Sequence, residues 1–320
     1  MSDTAAIPFY LDCDTGIDDS LALAYLLASE TVNLVGIGAV AGNTSVEQGA
    51  RNTLDLLALA GRSDVPVAVG ASGPQRGDFD GGVPHIHGHN GIGDVTLTAS
   101  ALRPVAESAP EMLVRLAHEY PGELRVIAIG PLTNIAAALR LDPELPALVK
   151  ELTLMGGAAL VPGNIGAVVE ANIGNDADAA AEVFAADWFI TMVPLDVTMS
   201  HSFTEADRQQ LLASPRPMAN AVGAILDRYF EFYLSVYGTR ACALHDPLAV
   251  AIAVGDVALA LAPVVKVSVD ATDGPGRGQT ICDMRGYLKG YPPVSGAHCR
   301  VVLGLDEDFA PLLLRKVLTV

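Results

Sequence analysis

The chain has 320 residues, 51% of them hydrophobic, so it can bury a large core of its own and is not a disordered tail. Nineteen Lys and Arg stand against 37 Asp and Glu, a formal net charge of −18. That field repels phosphate backbones and anionic lipid, which makes nucleic acid and membrane poor partners and leaves acidic side chains free to serve as metal ligands.

The first half alternates short β-branched runs with longer helical patterns: FYLDC, DSLALAYLLA, VNLVGIGAV, VEQGARNTLDLLALAG and VPVAVG. The alternation resumes with LRVIAIG, TNIAAALRL, ELTLMGG, DADAAAEVF and WFITMVPLDV. Such βαβ units predict an α/β fold with an open, mostly parallel, doubly wound (Rossmann-like) sheet. Residues 204–254 are denser in helix and form an added helical region, with Tyr229, Phe230, Phe232, Tyr233 and Tyr237 crowded into one stretch. The runs VVKVSV, GQTICDM and CRVVLGL predict small C-terminal strands before a last helix. No linker or internal repeat divides the chain, so a single domain over 1–320 is expected.

Cys13, Cys242, Cys282 and Cys299 include no CxxC pair and read as reduced thiols. The opening MSDTAAIPFY lacks a basic n-region, and Asp12 and Asp14 interrupt the apolar residues that follow. The stretch from Leu248 to Val265 is divided by Gly255, Asp256 and Pro263 into a helix-like and a strand-like half. A cytoplasmic location is the expectation.

Asp14, Asn43, Gly130 and Met155 each come at or just after the end of a predicted strand, where open parallel sheets bind ligands. Two long polar loops, Gly70 to Asp94 and Gly156 to Asn172, rise from the same edge.

The densest signal is DCDTGIDD, which places Asp12, Asp14, Asp18 and Asp19 within eight residues at a strand-to-helix turn. Helix capping accounts for one of these acids and leaves the others unexplained. Like charges gathered this closely call for a cation, and oxygen ligands indicate Ca²⁺ or Mg²⁺ over zinc. An EF-hand is excluded, because Ile17 and Leu23 occupy the positions that need Gly and Glu. A second signal is His245-Asp246-Pro247, in which Asp246 is a metal ligand or a helix cap and His245 a candidate proton donor. The third is the loop around His85, His87 and His89, whose glycines suggest a lid.

DCDTGIDD resembles the DxDPGxDD signature of the inosine-uridine-preferring nucleoside hydrolases. The likeness continues in the family's order through AGN at 41–43, HGHNGIGD at 87–94, GPLTN at 130–134 and MGG at 155–157. PGN at 162–164, EAN at 170–172, HDP at 245–247 and RGQTICDMRG at 277–286 extend it along nearly the whole chain. The resemblance implies Ca²⁺-dependent hydrolysis of the N-glycosidic bond of a ribonucleoside, with the cation on the 2′- and 3′-hydroxyls and the attacking water. Asp14 would be metal ligand and general base, Asp19 and Asp246 further ligands, and Ile129 a main-chain carbonyl ligand. Asp18, Asn43, Asn164, Glu170 and Asn172 match ribose-binding positions, with Met155 lining the same pocket. His245 matches the acid that protonates the leaving base, and Tyr229 and Tyr233 fall near the base. The expected partners are a ribonucleoside and further copies of the chain, as homodimer or homotetramer, and nucleoside salvage is the expected setting. Thr15, Ala171 and Asn90 depart from the family's usual Pro, Phe and Asp.

The chemistry agrees with this implication. Loss of the base builds positive charge on the ribose, which carboxylates and amide oxygens stabilise, while a cation acidifies the attacking water. Two other classes compete. A haloacid-dehalogenase-like phosphatase uses DxDxT, but Thr15 follows Asp14 directly and Gly16 stands at the required position. A non-enzymatic nucleoside- or Ca²⁺-binding module would need neither Asp14 nor His245 as base and acid.

Overall fold

The computed structural model describes residues 6–320; residues 1–5, the start of the stretch read above for a targeting signal, lie outside them. In chain order the first half runs β1 (Ile7–Cys13), α1 (Ile17–Leu27), β2 (Val32–Ala39), α2 (Val46–Leu59), β3 (Val67–Val69), α3 (Pro84–His87), α4 (Ala109–Glu119), β4 (Arg125–Ala128), α5 (Thr133–Leu141), α6 (Leu145–Leu148) and β5 (Glu151–Met155). There follow α7 (Ala171–Asn175), α8 (Ala177–Ala185), β6 (Ile190–Val193), α9 (Leu195–Thr198), β7 (Ser202–Thr204), α10 (Glu205–Leu212), α11 (Pro217–Tyr237), β8 (Ala241–Ala243) and α12 (Asp246–Val254). The remainder holds β9 (Leu259–Leu261), β10 (Val264–Val265), β11 (Val267–Val269), β12 (Thr280–Cys282), β13 (Cys299–Val301), β14 (Gly304–Leu305) and α13 (Ala310–Val317).

Eight strands form the main sheet in the order β10-β13-β6-β5-β4-β1-β2-β3. Every pairing in it is parallel except β10 with β13. From β1 the chain winds outward through β2 and β3, and from β4 it winds the other way through β5 and β6. The switch point therefore lies between β1 and β4, where the two windings leave a crevice at the carboxyl ends of the strands.

Both faces of the sheet are covered, which is why its strands are near-continuous apolar runs. Alternate residues of β1 divide between two cores: Phe9 and Leu11 pack with α1, α11 and α12, whereas Tyr10 packs with α4, α5 and α8. Helix α1 is buried almost all round by the sheet, α11, α12 and α13, so its sequence lacks a polar face.

Several elements differ from the sequence reading for identifiable reasons. Helix α4 is amphipathic and opens on a reciprocal cap between Ser108 and Glu111, an S-x-x-E signal that lies inside a Pro- and Ser-rich segment. VVKVSV splits after Val265, so that β10 joins the edge of the main sheet and β11 turns away to pair with β12. CRVVLGL also divides: β13 adds a parallel strand beside β6, and β14 pairs with β9. In the helical region, β7 and β8 form a small antiparallel pair that returns the chain from α11 to the sheet. Among the described residues no helix is long and apolar enough to cross a membrane.

Candidate active site

The turn after β1 brings the acidic motif to the switch point, but it separates its four carboxylates. Asp12, still within the strand, is fully buried, and its Oδ2 accepts from Tyr10 Oη at 3.1 Å and Asn134 Nδ2 at 3.0 Å. Burial pushes its carboxyl up to about 7. Asp12 thus ties β1 to the start of α5. Asn134 also donates to the Ala39 carbonyl and accepts from the Ala71 amide, so one side chain joins the ends of three strands.

The other three acids face a shared space. Asp19 Oδ2 accepts from the Gly16 amide at 2.9 Å, so this residue does cap α1. It also accepts from Asn43 Nδ2 at 3.0 Å, and its Oδ1 accepts from the Asp14 amide at 3.2 Å. Asp14 Oδ2 accepts from the Asn43 amide at 2.7 Å. One carboxylate oxygen each from Asp18, Asp19 and Asp246 lie within 4.8 Å of one another, and all three residues are buried. Helix α12 supplies Asp246 one residue later than a cap would sit: His245 is the N-cap and Asp246 the first helical residue.

This acid set fits a hard divalent cation. Among the described residues, Oδ1 of Asp14 and Oδ1 of Asp18 are buried without any partner, a costly state for carboxylates unless something positive sits beside them. Burial together with neighbouring carboxylates raises Asp19 and Asp246 well above the usual range, and Asp14 rises to about 7. A cation reverses that cost, and oxygen-only donors suit a hard ion. Asp14, Asp19 and Asp246 would hold it, with Asp18 beside them at the crevice. The Ile129 carbonyl at the end of β4 accepts from Asn172 Nδ2 at 2.9 Å and keeps a second lone pair. Two glycines make the packing behind Asp14 possible: a Cβ on Gly42 would lie 2.1 Å from Oδ2, and one on Gly130 would lie 2.9 Å from Oδ1.

A crevice opens above these acids, lined by Asp18, Asn43, Ile129, Met155, Asn164, Glu170, Ala171, Asn172, Tyr229, Tyr233, His245 and Asp246. It therefore gathers eleven of the thirteen site residues expected from the sequence, together with Ala171. Asp14 and Asp19 lie buried behind it. Glu170 is the N-cap of α7; its carboxylate accepts from the amides of Gly157, Asn172 and Ile173, and burial still raises its pKa. Asn172 Nδ2 also donates to the Met155 carbonyl at 3.1 Å, and Asn164 Oδ1 accepts from the Ala171 amide at 3.0 Å. These amides are fixed by the main chain, so the polar rim is preorganised.

Helix α11 closes the other side. Tyr229 Oη donates to Asp18 Oδ2 at 3.2 Å, and Tyr233 Oη lies 2.9 Å from His245 Nε2. The two tyrosine rings meet edge to face with centroids 5.1 Å apart. His245 is buried, which pushes its imidazole below the usual range and favours the neutral form.

One histidine that the sequence left without a role enters the site. His87 is buried and lines the crevice, its Nδ1 accepts from the Ile17 amide at 3.0 Å, and its ring packs against Tyr229 at 5.5 Å. Accepting at Nδ1 places its proton on Nε2. His85 and His89 are exposed, whereas His87 turns inward. The alternation of histidines was legible, but which of them a four-residue helix would turn inward was not. Val83, Ile86, Ile165, Met199, Phe232 and Tyr237 also line the crevice and add an apolar wall. The departures from the family's pattern are absorbed locally. Thr15 Oγ1 sits 2.7 Å from Thr53 Oγ1, and Asn90 Oδ1 accepts from the Ile92 and Asp94 amides and organises its own loop.

Comparison with known proteins agrees with this geometry. The family described as inosine-uridine preferring nucleoside hydrolase matches residues 9–310. A probable uridine nucleosidase 2 of Arabidopsis thaliana is 38% identical over 238 residues, 74% of each chain. A pyrimidine-specific ribonucleoside hydrolase RihA of Shewanella sp. (strain MR-7) is 34% identical over 309 residues, 96% of this chain and 95% of its own. Among solved structures, the plant nucleoside hydrolase PpNRh1 superposes with a TM-score of 0.90 at 30% identity, covering 98% of this chain and 99% of that one. A purine-preferring ribonucleoside hydrolase from Gardnerella vaginalis gives 0.87 at 36% identity, over 98% and 97%. The acid cluster at the switch point, the polar and aromatic crevice above it and these full-length matches have one reading: the chain belongs to the inosine-uridine preferring nucleoside hydrolase family and is an N-glycosidase that hydrolyses ribonucleosides.

Proposed function

We propose that the chain, acting as one domain, is a Ca²⁺-dependent ribonucleoside hydrolase with Asp14 as general base and His245 on the leaving-group side. The observation that carries this reading is the pair of buried, unpartnered oxygens on Asp14 and Asp18 beside the Asp19 and Asp246 carboxylates. When bound, Ca²⁺ would supply the charge that chelates vicinal sugar hydroxyls and acidifies a water. Asp14 Oδ1 is the oxygen left to take that water's proton, because Oδ2 is held by the Asn43 amide.

Asn43, Asn164, Glu170 and Asn172 orient the ribose and offer oxygens to the positive charge that develops on it. Attack by the water on the face opposite the base inverts C1′. Tyr229, Tyr233 and His87 flank the base, whose departure is eased by a proton donated from the His245 side. Uridine is the first substrate to test, since the Arabidopsis and Shewanella relatives are named for uridine and pyrimidine ribonucleosides. Inosine is the second, because the Gardnerella relative is named for purine preference.

The test is a reducing-sugar assay over uridine, cytidine, inosine, adenosine and guanosine with Ca²⁺ or with a chelator, and p-nitrophenyl phosphate as control. Chelator-sensitive ribose release is the expected result. Phosphatase activity alone, or nucleoside binding without turnover, would replace this reading with one of the two rival classes.

A further inference from the structure

Thr198, at the end of α9, was singled out by no sequence motif, yet its Oγ1 lies 2.8 Å from His245 Nδ1. Thr198 is completely buried, and among the described residues this imidazole nitrogen is the single hydrogen-bond partner of its hydroxyl. On the opposite edge of the ring, His245 Nε2 faces Tyr233 Oη at 2.9 Å. A neutral imidazole carries one proton, so the two bonds cannot be directed independently.

If Nδ1 carried the proton and gave it to Thr198, the threonine's own O–H would be a buried donor with no acceptor, a state that folded proteins avoid. With the hydroxyl donating to Nδ1 instead, the threonine and both ring nitrogens are satisfied: the imidazole proton sits on Nε2 and is donated to the Tyr233 oxygen. Tyr233 then has its own proton free for an acceptor in the crevice that it lines. We infer that Thr198 is a positioning residue that fixes His245 as the Nε2–H tautomer, so that Tyr233 Oη can give its own proton to the leaving base while the neutral Nε2–H stays on the ring and stabilises the phenolate, which solvent reprotonates once the base has left. The fold supports this assignment. Strand β7 follows α9, and the pairing of β7 with β8, with the Leu244 amide donating to the His201 carbonyl, returns His245 to Thr198 across a sequence gap of 47 residues.

This inference rests on the proposed role of His245 in base departure, so its test has one arm that is independent of turnover. In the Ca²⁺-loaded full chain with ¹⁵N-labelled histidine, the signals lost in His245→Ala identify this ring. They are expected to show Nδ1 unprotonated and Nε2 protonated; the opposite tautomer would overturn the inference. Thr198→Val removes the hydroxyl at nearly constant volume, whereas Thr198→Ser keeps it. The valine variant is expected to mix the tautomers and to lower kcat for uridine about tenfold more than for p-nitrophenyl riboside, whose leaving group needs no proton, while serine restores both readouts. An unchanged tautomer and equal losses on the two substrates would assign Thr198 to packing alone. Should the valine variant not fold, the wild-type and serine spectra still decide the tautomer. Absence of nucleoside turnover in the wild type would remove the proposed function and leave the tautomer answer standing.

Discussion

The Asn43 amide donates to Asp14 Oδ2 at 2.7 Å, and Asp14 Oδ1 is left buried with no partner among the described residues. One carboxylate is thereby divided into a held oxygen and a free one. The held oxygen sets the orientation, and the free one is available to a cation and to a proton. In the proposed mechanism the same carboxylate would serve metal binding and base catalysis, and these functions should be lost together.

Asp14→Ala, Asp19→Ala and Asp246→Ala are each expected to abolish detectable Ca²⁺ binding in calorimetry and to reduce ribose release by about 10²-fold or more, since a hard cation held by few anionic oxygens cannot spare one. Asp12→Asn should keep full metal occupancy, because Asp12 bonds Tyr10 and Asn134 and stands apart from the cluster. Full Ca²⁺ occupancy in the Asp14, Asp19 and Asp246 variants would move the metal site elsewhere.

Stability of the metal-free protein should depend on pH in a direction opposite to that of most acidic chains. In the folded protein the Asp14 carboxyl is raised from 3.8 to about 7, and Asp19 and Asp246 are raised with it. Raised groups bind more protons folded than unfolded, so their contribution is complete below about pH 4 and is lost as pH climbs through about 7. With a chelator present, Tm should therefore fall between about pH 5 and about pH 8. Ca²⁺ binds the deprotonated acids, so the rise in Tm on adding it should grow over the same interval. A Ca²⁺-induced shift that does not vary with pH would contradict the raised carboxyls.

Much of this arrangement was legible in the sequence because its parts are local. Alternating strand and helix patterns, four acids in one turn and HDP before an apolar run each sit within a few residues, and the Asp14–Asp18–Asp19 grouping needs only a strand end and a tight turn. Long-range placements were less legible. No periodicity indicates that the Ile17 amide would select His87 from three histidines, or that VVKVSV would split between two sheets. The β7–β8 pair joins three-residue strands 37 residues apart in sequence, too short to stand out in a helical region. Thr198 was invisible for the same reason: its partner is set by that pairing and by nothing adjacent to it.

The sugar provides a test of the crevice's polar half. Asp18 and Asn172 line the crevice, and Asp18 keeps a buried Oδ1 with no partner among the described residues. A ribose hydroxyl would satisfy such groups, whereas a 2′-deoxyribose leaves them unpaired and removes one arm of the diol chelate. Sites built to bond a hydroxyl reject the analogue lacking it by about 10⁴-fold, and a kcat/KM ratio of that order is expected for uridine over 2′-deoxyuridine. Similar values for the two would show that the diol is not what the acids recognise.

The leaving-group side makes the sharpest demand, because His245 bonds Tyr233 and directly precedes Asp246 in the chain. His245→Ala should lower kcat for uridine and inosine by about 10²- to 10⁴-fold if the histidine supports protonation of the departing base. p-Nitrophenyl riboside, whose phenolate leaves unaided, should lose far less. Asp246 is the next residue in the chain, so a variant that merely disturbed α12 would lower Ca²⁺ affinity and depress all three substrates alike. Calcium titration of the same variant separates the two cases, with unchanged affinity and a selective loss expected. Tyr233→Phe provides the complementary measurement: it keeps the ring edge to face with Tyr229 and stacked on Tyr237 but removes the hydroxyl that meets His245 Nε2. Its loss should follow the same order, large for the natural nucleosides and small for the aryl riboside. If Tyr233→Phe is harmless while His245→Ala is not, the imidazole must reach the base directly and the hydroxyl between them has no part in the proton's path.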